Sequence, residues 1–399
     1  MKSRSTVSLV LAPIVAASVA ACSISADPTP TPSPSPSPTT SPGPADPAAP
    51  ADPATPDPTP AKAPTAKLDA TFAGIADATN EIQSMALGPS GVTYVAFRKA
   101  GGSIGWGNGT IVRRYTSTGK LDATFGTAGE TSTILVANPQ ALAVDSKGRV
   151  LVGGSGLYAP EQTSDTGREI VAVRMTAAGA VDTTWGSGGR AVLSFSPANV
   201  WSTSARARDD GGLFLSVYGR TNGKDTYGSF LLSPTGAPVT TYGTNGFVGA
   251  SYPTDGAVAV GNDVLVPTTE GLVRYGADGK SAGTFVSSGV AMIKASKGGF
   301  TAIVAGSSTL YLARFDASGK RDAAFKAPTV AEDVTDFAVR ADGSVLVADP
   351  KGISWVSPSG GALVSILPGV SADKLAVTSD DRLMVLGAGD SPKVSRYVF

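Results

Sequence analysis

Three oxygen-bearing side chains occupy equivalent positions of an internal repeat: Glu81, Asn138 and Asp333. Carboxylate and amide oxygens that converge on one point are the ligands that Ca²⁺ prefers, so these residues predict a candidate cation site. At the same position the other copies of the repeat carry Trp201, Thr254, Ser288 and Ser371. A polar ring of this mixed composition is equally compatible with a solvated channel mouth, and both alternatives stay open.

The composition limits the chemistry that these positions could perform. The chain contains no histidine, which excludes His-dependent catalytic triads, imidazole bases and imidazole metal sites. Its 32 Lys+Arg balance 32 Asp+Glu, so charge gives no argument for a nucleic-acid partner. We therefore assign no catalytic residue and expect no cofactor, apart from calcium in the alternative above.

Aromatic side chains in long loops are the second group of candidates. Three segments between predicted strands are longer than most of their counterparts in the other copies: 99–110, 154–169 and 219–228. They carry Trp106, Tyr158 and Tyr227, and amphipathic rings of this kind anchor binding interfaces. Long loops on a rigid scaffold usually carry function. We take these three residues, with Trp201, Glu81, Asn138 and Asp333, as binding-face candidates; the alternative is that the loops are tolerated insertions.

The elements that position these residues form a repeat of seven copies. Each copy has a segment such as "KLDATF" (67–72 and 120–125), "AVDTTW" (180–185) or "KRDAAF" (320–325). An apolar strand, a Gly/Asp/Asn turn, a second apolar strand and a third strand follow, as in "LAVDSKGRVLVG". Four short strands in each of seven successive copies predict a β-propeller.

The ends of the repeat region predict how the ring closes. The folded region begins with a fourth-strand segment, "KLDATF", and ends with a third strand, "KVSRYVF". The missing partner of the last strand is therefore the first strand of the domain. We predict an all-β fold over residues 67–399: a seven-bladed β-propeller of four-stranded blades, closed by the N-terminal strand pairing with the C-terminal blade.

An arginine in the third strand and an aspartate in the fourth occur together. The pairs are Arg114 with Asp122, Arg174 with Asp182, Arg314 with Asp322, and Arg396 with Asp69 across the chain ends. Arg274 is the exception, because Ala282 stands where the aspartate would be. The pattern predicts a structural ion pair across each outer hairpin, worth roughly 0.2–1 kcal/mol.

The pattern "R-x-x-x-x-G-x-x-D-x-x-F-G" followed by "A-V-x-x-x-G-x-V-L-V" resembles the bacterial delta-60 repeat family of β-propellers. The resemblance covers nearly all of residues 66–399. It is close in blades one, two and six and degenerate in blades four, five and seven. The family implies an exported or surface propeller without a common chemistry.

The N-terminal segment predicts export and anchoring. Lys2 and Arg4 precede an apolar stretch, Val7 to Val19, that ends in Val19-Ala20-Ala21-Cys22, with the only cysteine of the chain. This resembles the bacterial lipobox and implies a signal peptide over 1–21 and an acylated Cys22; an ordinary secretory signal with an incidental cysteine is the alternative. Residues 22–66, rich in Pro, Ser, Thr and Ala, predict a disordered linker.

Two functions remain in competition, beside a third alternative in which the propeller is a purely structural spacer. The first is a monomeric, lipid-anchored propeller on the extracytoplasmic side of the cell membrane, acting as a binding scaffold for an envelope protein or glycan. The second is a calcium-dependent, lactonase-like propeller hydrolase that uses Glu81, Asn138 and Asp333 at the channel mouth. A convergent cluster of oxygens would favour the hydrolase.

Overall fold

The computed structural model describes residues 61–100, 109–132, 136–156, 169–195, 199–250, 257–260, 262–268, 271–287, 289–306, 309–389 and 391–399. These residues contain 27 strands, one 3-10 turn (Pro89–Gly91) and no α-helix. Within this part of the chain, no helix has the length and apolarity needed to cross a membrane. The fold is all-β.

The described strands form seven antiparallel sheets, numbered here in chain order. Sheet 1 has β2 (Glu81–Leu87), β3 (Thr93–Arg98) and β4 (Thr110–Tyr115). Sheet 2 has β5 (Val136–Val144), β6 (Val150–Gly156), β7 (Glu169–Met175) and β8 (Arg190–Ser194). Sheet 3 has β9 (Asn199–Ala207), β10 (Leu213–Thr221), β11 (Lys224–Leu232) and β12 (Phe247–Ala250).

The later sheets follow the same order of consecutive strands. Sheet 4 has β13 (Val258–Val260), β14 (Asp263–Thr268), β15 (Gly271–Tyr275) and β16 (Ser281–Val286). Sheet 5 has β17 (Val290–Ser296), β18 (Gly299–Ala305), β19 (Leu310–Asp316) and β20 (Thr329–Val330). Sheet 6 has β21 (Asp336–Val339), β22 (Val345–Asp349), β23 (Gly352–Val356) and β24 (Val364–Pro368). Sheet 7 has β25 (Ala372–Val377), β26 (Leu383–Gly387), β27 (Val394–Val398) and β1 (Lys67–Leu68).

The core lies between the sheets rather than within one of them. Along β3, Tyr94 and Ala96 join a cluster with sheet 2, whereas Val95 and Phe97 join a cluster with sheet 7. A strand that is buried on both faces needs an apolar residue at every position, which explains runs such as "VLV" and "FTAIV". Seven such clusters join sheets 1–2, 2–3, 3–4, 4–5, 5–6, 6–7 and 7–1.

The two ends of the folded region meet in sheet 7. In the β1–β27 pair, Lys67 lies opposite Val398 and Leu68 opposite Tyr397. The contact continues past the strand, because the backbone N–H and C=O of Ile75 exchange hydrogen bonds of 2.9 Å with Val394. The first residues of the folded region thus extend a sheet whose other strands come from the end of the chain.

Sheet 1 departs from the four-strand expectation. Beside β4, the next residues make isolated bridges, Tyr115 with Leu121 and Arg113 with Glu130, instead of a continuous strand. The segment 120–125, predicted from the sequence as a fourth strand, is instead a turn in which Asp122 accepts hydrogen bonds from the N–H and hydroxyl of Thr124; Asp182 and Thr184 form the same turn before β8.

Candidate functional site

Three aromatic rings stack side by side across sheet 3, and we call them the aromatic ladder: Trp201, Tyr218 and Tyr227. Tyr218 lies opposite Trp201 on β9 and opposite Tyr227 on β11. The ring centroids are 5.1 Å apart for Trp201–Tyr218 and 5.2 Å apart for Tyr218–Tyr227, with interplanar angles of 20° and 22°. All three side chains are half-buried, so part of the stack is accessible to solvent.

The register of the ladder follows from one tight turn. β10 and β11 are joined by Asn222 and Gly223, both with positive φ (50° and 78°). A two-residue turn of this sequence fixes the pairing of the flanking strands, so Tyr218 must face Tyr227. Trp201 and Tyr227 are among the residues predicted from the sequence, whereas Tyr218 is not, although the Asn-Gly turn would have placed it opposite Tyr227.

Asp225 links the ladder to a charged pair at its outer end. The Tyr218 hydroxyl donates to Asp225 Oδ1 at 2.9 Å and the Tyr227 hydroxyl donates to Oδ2 at 3.2 Å. Arg220 lies opposite Asp225 in the hairpin, with Nε 3.2 Å from Oδ1. Burial, and then the charge of Asp225, raises the pKa of Tyr227 to about 12, so the phenol keeps its proton at neutral pH.

The ladder lies near one end of sheet 3, where β10 is longer than the second strand of the next sheet. On β10, Phe214 faces sheet 4 and packs with Val264 and Val266. Tyr218 lies on that same face, four residues further along the strand. In sheet 4 the second strand already ends at Thr268. Sheet 3 therefore extends beyond its neighbour at the level of the ladder.

The other channel-mouth candidates do not converge on a cation position. Glu81 makes an ion pair with Arg98, its partner in the β2–β3 register, and Arg98 Nη1 also donates to Asn138 Oδ1 at 3.3 Å. Asp333 lies on an exposed turn before β21. The guanidinium thus occupies the oxygens of Glu81 and Asn138, and the cluster expected for calcium is not formed. In the described part of the chain, no three Asp, Glu, Cys or His side chains group to hold a metal ion.

A buried ion pair between neighbouring sheets was not foreseen. Lys294 on β17 lies 2.8 Å from Asp336 on β21, whose side chain is 3% exposed. Asp336 also accepts a hydrogen bond of 2.8 Å from the backbone N–H of Leu375 in sheet 7. This carboxylate connects three consecutive sheets, which gives it a structural role.

The repeated arginines form the contacts proposed from their spacing in three of four cases. Nε lies 2.8 Å from the aspartate in each of Arg114–Asp122, Arg174–Asp182 and Arg396–Asp69. Arg314 differs: its guanidinium donates to the carbonyls of Pro358 (2.8 Å) and Gly343 (2.5 Å), and Asp322 acts on it through charge alone. The expected contact ion pair of Arg314 is therefore wrong, because backbone carbonyls occupy the guanidinium.

Arg274, the exception in the sequence, has a different carboxylate. Its guanidinium pairs with Asp263 of the neighbouring strand β14, with Nη2 2.6 Å from Oδ2. The carboxylate that is absent at Ala282 on β16 is thus supplied by Asp263 on β14, the strand that pairs with the other edge of β15.

The same arginines perform two further tasks that pairwise covariation did not reveal. Each covers the ring at the end of the next repeat segment of the "KLDATF" type, at 4.5 to 5.7 Å from the centroid; the rings are Phe125, Trp185, Phe285, Phe325 and Phe72. Four of them also donate to a carbonyl in the next sheet: Ala177, Pro234, Pro358 and Ser117. The arginines therefore join adjacent sheets and do not line a ligand site.

Three candidates fall outside the described residues. These are Cys22, Trp106 and Tyr158; Thr254 and Ser288 of the predicted polar ring also lie outside them. Of the aromatic anchors expected from the long loops, the described part of the chain thus contains Tyr227, within the ladder.

Comparisons with known proteins do not identify a family. No family model matches the chain, and no curated protein matches it. Similar solved structures include prolyl oligopeptidase B from Galerina marginata, at 10% identity and a TM-score of 0.45 over 77% of this chain and 47% of that one. Another is the CNH domain named AfRom2, at 8% identity and a TM-score of 0.45 over 84% of this chain and 98% of that one. The chain spans about half the length of the prolyl oligopeptidase.

A third similar structure is a protein from Bacteroides uniformis named for 6-phosphogluconolactonase activity. It matches at 14% identity and a TM-score of 0.42, over 74% of this chain and 88% of that one. At these identities and TM-scores, none of the three similarities supports an argument about activity.

Proposed function

We propose that this chain is an exported, lipid-anchored, seven-bladed β-propeller that binds a protein or glycan of the cell envelope. The proposal takes each of the seven sheets as one blade. It is supported by the order of the core clusters, in which each sheet packs on the next and sheet 7 packs on sheet 1. Ring closure is supported by the β1–β27 pairing, which adds an N-terminal strand to the last sheet.

The proposed anchor is Cys22, with its acyl chains in the membrane and the linker 22–66 between membrane and propeller. It is supported by the lipobox-like sequence before Cys22 and by the absence of any second cysteine in the chain. Two or more acyl chains on one residue are sufficient for stable anchoring. Resemblance to the delta-60 repeat family, which implies exported or surface propellers, agrees with this location.

The observation that carries the binding function is the half-exposed aromatic ladder. Stacked rings across neighbouring strands stabilise a sheet, but a ring buried in the core would serve that purpose equally well. Here the rings lie at the end of a hairpin that extends beyond the neighbouring sheet, with Asp225 and Arg220 beside them. Apolar rings with a polar rim are typical of recognition surfaces.

The hydrolase alternative draws no support from the geometry. Its residues Glu81 and Asn138 bind the guanidinium of Arg98, and Asp333 is exposed on a separate turn. The proposal therefore assigns no reaction to this chain.

The experiment compares the purified full chain with its Tyr227→Ala variant. Envelope is separated into a polysaccharide fraction and a protein fraction, and each is passed over the immobilised chains. We expect at least one fraction to be retained by the wild type and at least about tenfold less by the variant, because truncation of an anchoring ring costs about 2 kcal/mol or more. Retention of neither fraction, or equal retention by both chains, would contradict the binding function.

A further inference from the structure

We propose that the aromatic ladder is a binding site for a neutral polysaccharide, with sugar rings lying against Trp201, Tyr218 and Tyr227 and sugar hydroxyls donating to Asp225. The proposal rests on the binding function above and narrows its ligand to one chemical class. A row of three rings suits a chain of sugars better than a single sugar, since one sugar ring covers only part of it.

The hydrogen-bonding state of the site favours a ligand that donates. Both phenol protons are already given to Asp225, so the phenols offer oxygen lone pairs to a ligand. Asp225, as a carboxylate, also accepts only, and its side chain is 36% exposed. Sugar hydroxyls donate and accept, so they fit this set. Prolines in a Pro-rich peptide, the other common ligand of aromatic surfaces, have no N–H to give.

The charge of the site favours a neutral chain. Asp225 is paired with Arg220, whose side chain is 52% exposed, so the two charges cancel locally. The pKa of Tyr227 is raised to about 12 by burial and then by Asp225, so the phenol adds no charge at neutral pH. An acidic polymer would gain from Arg220 but would be repelled by Asp225 at the same place.

All five residues share one face of sheet 3: Trp201 lies on β9 opposite Tyr218, and the other four lie on the β10–β11 hairpin. Tyr218 and Arg220 are two residues apart on β10, and Tyr227 and Asp225 are their direct partners on β11. Residues two apart in a strand lie on the same face, so the charged pair sits directly beyond the rings. The rings and the hydrogen-bonding groups are thus placed side by side along the hairpin, as an extended ligand requires.

The test is affinity electrophoresis of the full chain through gels containing mannan, arabinogalactan or hydroxyethyl cellulose. Hyaluronan gels and a decaproline competitor provide the acidic-polymer and peptide comparisons. We expect at least one neutral polysaccharide to retard the wild type, with the apparent Kd raised at least about tenfold in Tyr227→Ala and in Asp225→Ala. Tyr227→Phe, which keeps the ring, should retain more affinity than Tyr227→Ala.

The matched control is Tyr311→Ala. Tyr311 is also a half-buried strand tyrosine, on β19, with Arg321 over its ring at 5.1 Å. The Tyr311→Ala variant should be retarded in the gels as strongly as the wild type. Asp225→Ala changes an exposed side chain at the hairpin end and therefore separates loss of binding from loss of folding, which thermal unfolding of every variant verifies.

The outcomes distinguish this inference from the function on which it rests. If no neutral polysaccharide retards the wild type, or if retardation is unchanged in Tyr227→Ala and Asp225→Ala, the glycan inference is overturned. Retardation by hyaluronan alone or binding of decaproline alone would overturn it too. If the envelope protein fraction still binds in a Tyr227-dependent way, the binding function survives with a protein partner; if neither fraction binds, both proposals fall.

Discussion

Arg396, three residues before the end of the chain, lies against Asp69, near the start of the folded region, with Nε 2.8 Å from Oδ2. Both side chains are buried, at 8% and 5% exposure. The guanidinium also covers the ring of Phe72 and donates to the carbonyl of Ser117 in sheet 1. One arginine thus connects the C-terminal strand, the N-terminal strand and the next sheet.

Replacing Arg396 by Ala is expected to lower the free energy of unfolding by about 3 kcal/mol, because the buried Asp69 carboxylate loses a buried cation and keeps Arg382 and the hydrogen bonds from Thr71. Arg274→Ala is the control, since its pair with Asp263 is about 30% exposed on both sides and should contribute less than about 1 kcal/mol. Chemical denaturation of both variants measures the difference. Equal losses would show that the Arg396 contacts have no special role.

Acid should weaken the turn around Asp77. Burial raises the pKa of Asp77, but hydrogen bonds from the backbone N–H groups of Asn80 and Thr79, and then from side chains, outweigh it. The pKa is held at about 2, below its ordinary value of 3.8. A lowered pKa gives stability that is present above the ordinary value and is lost as the pH falls through the folded value.

Asp77→Asn should therefore be less stable than the wild type at neutral pH, and the gap should close as the pH falls from about 4 towards 2. The measurement is the unfolding free energy of both chains as a function of pH. A gap that stays constant over this range would mean that the ionised carboxylate does not stabilise the fold.

Asp182 and Asp322 occupy the same position in two copies of the repeat. Replacing each by alanine should nevertheless lower the free energy of unfolding by different amounts. Asp182 contacts the buried Arg174 at 2.8 Å, so its loss leaves an unpaired buried cation and should cost about 2 kcal/mol. Asp322 does not contact Arg314, whose donors go to carbonyls, so its loss should cost below about 1 kcal/mol. Thermal or denaturant unfolding of the two variants under the same conditions measures the loss of stability. A larger loss for Asp322→Ala than for Asp182→Ala would contradict the contacts assigned to the two arginines.

Deleting residues 67–72 should destabilise the folded region far more than removing everything before Lys62. The first deletion removes β1, Asp69 and Phe72 from sheet 7 and exposes the edge of β27. The second leaves all of those contacts intact. Melting temperatures of the two truncated chains provide the comparison, and identical values would rule out closure through the N-terminal strand.

Cys22→Ser should release the protein from the membrane fraction, because acyl chains on that thiol are the proposed anchor. Fractionation of cells, followed by detection of the chain in soluble and membrane pools, tests this directly. Persistent sedimentation with membranes after a high-salt wash would exclude Cys22 as the anchor.

The local chemistry of the outer hairpins was predictable from the sequence, since spacing along the chain determines which side chains can meet there. Arg114 on β4 and Asp122 in the turn that follows are eight residues apart, and the repeat made that pairing visible. Tyr218 facing Tyr227 was equally accessible, because an Asn-Gly turn sets the register without any long-range contact. All-β structure followed from the same short-range patterns.

Tertiary structure decided which polar groups found their partners in another sheet. Asn138 looked like a cation ligand in the sequence, but the fold places its oxygen against Arg98 of sheet 1, which also pairs with Glu81 within that sheet. Arg314 donates to carbonyls of sheet 6 and does not contact Asp322. A guanidinium has several N–H donors, and the acceptors that the neighbouring sheet presents determine which hydrogen bonds form. Likewise, Tyr227 is half-buried at a level where β10 and β11 extend beyond the end of β14. A single chain's repeat pattern records contacts within a unit, whereas contacts between units depend on how the sheets pack.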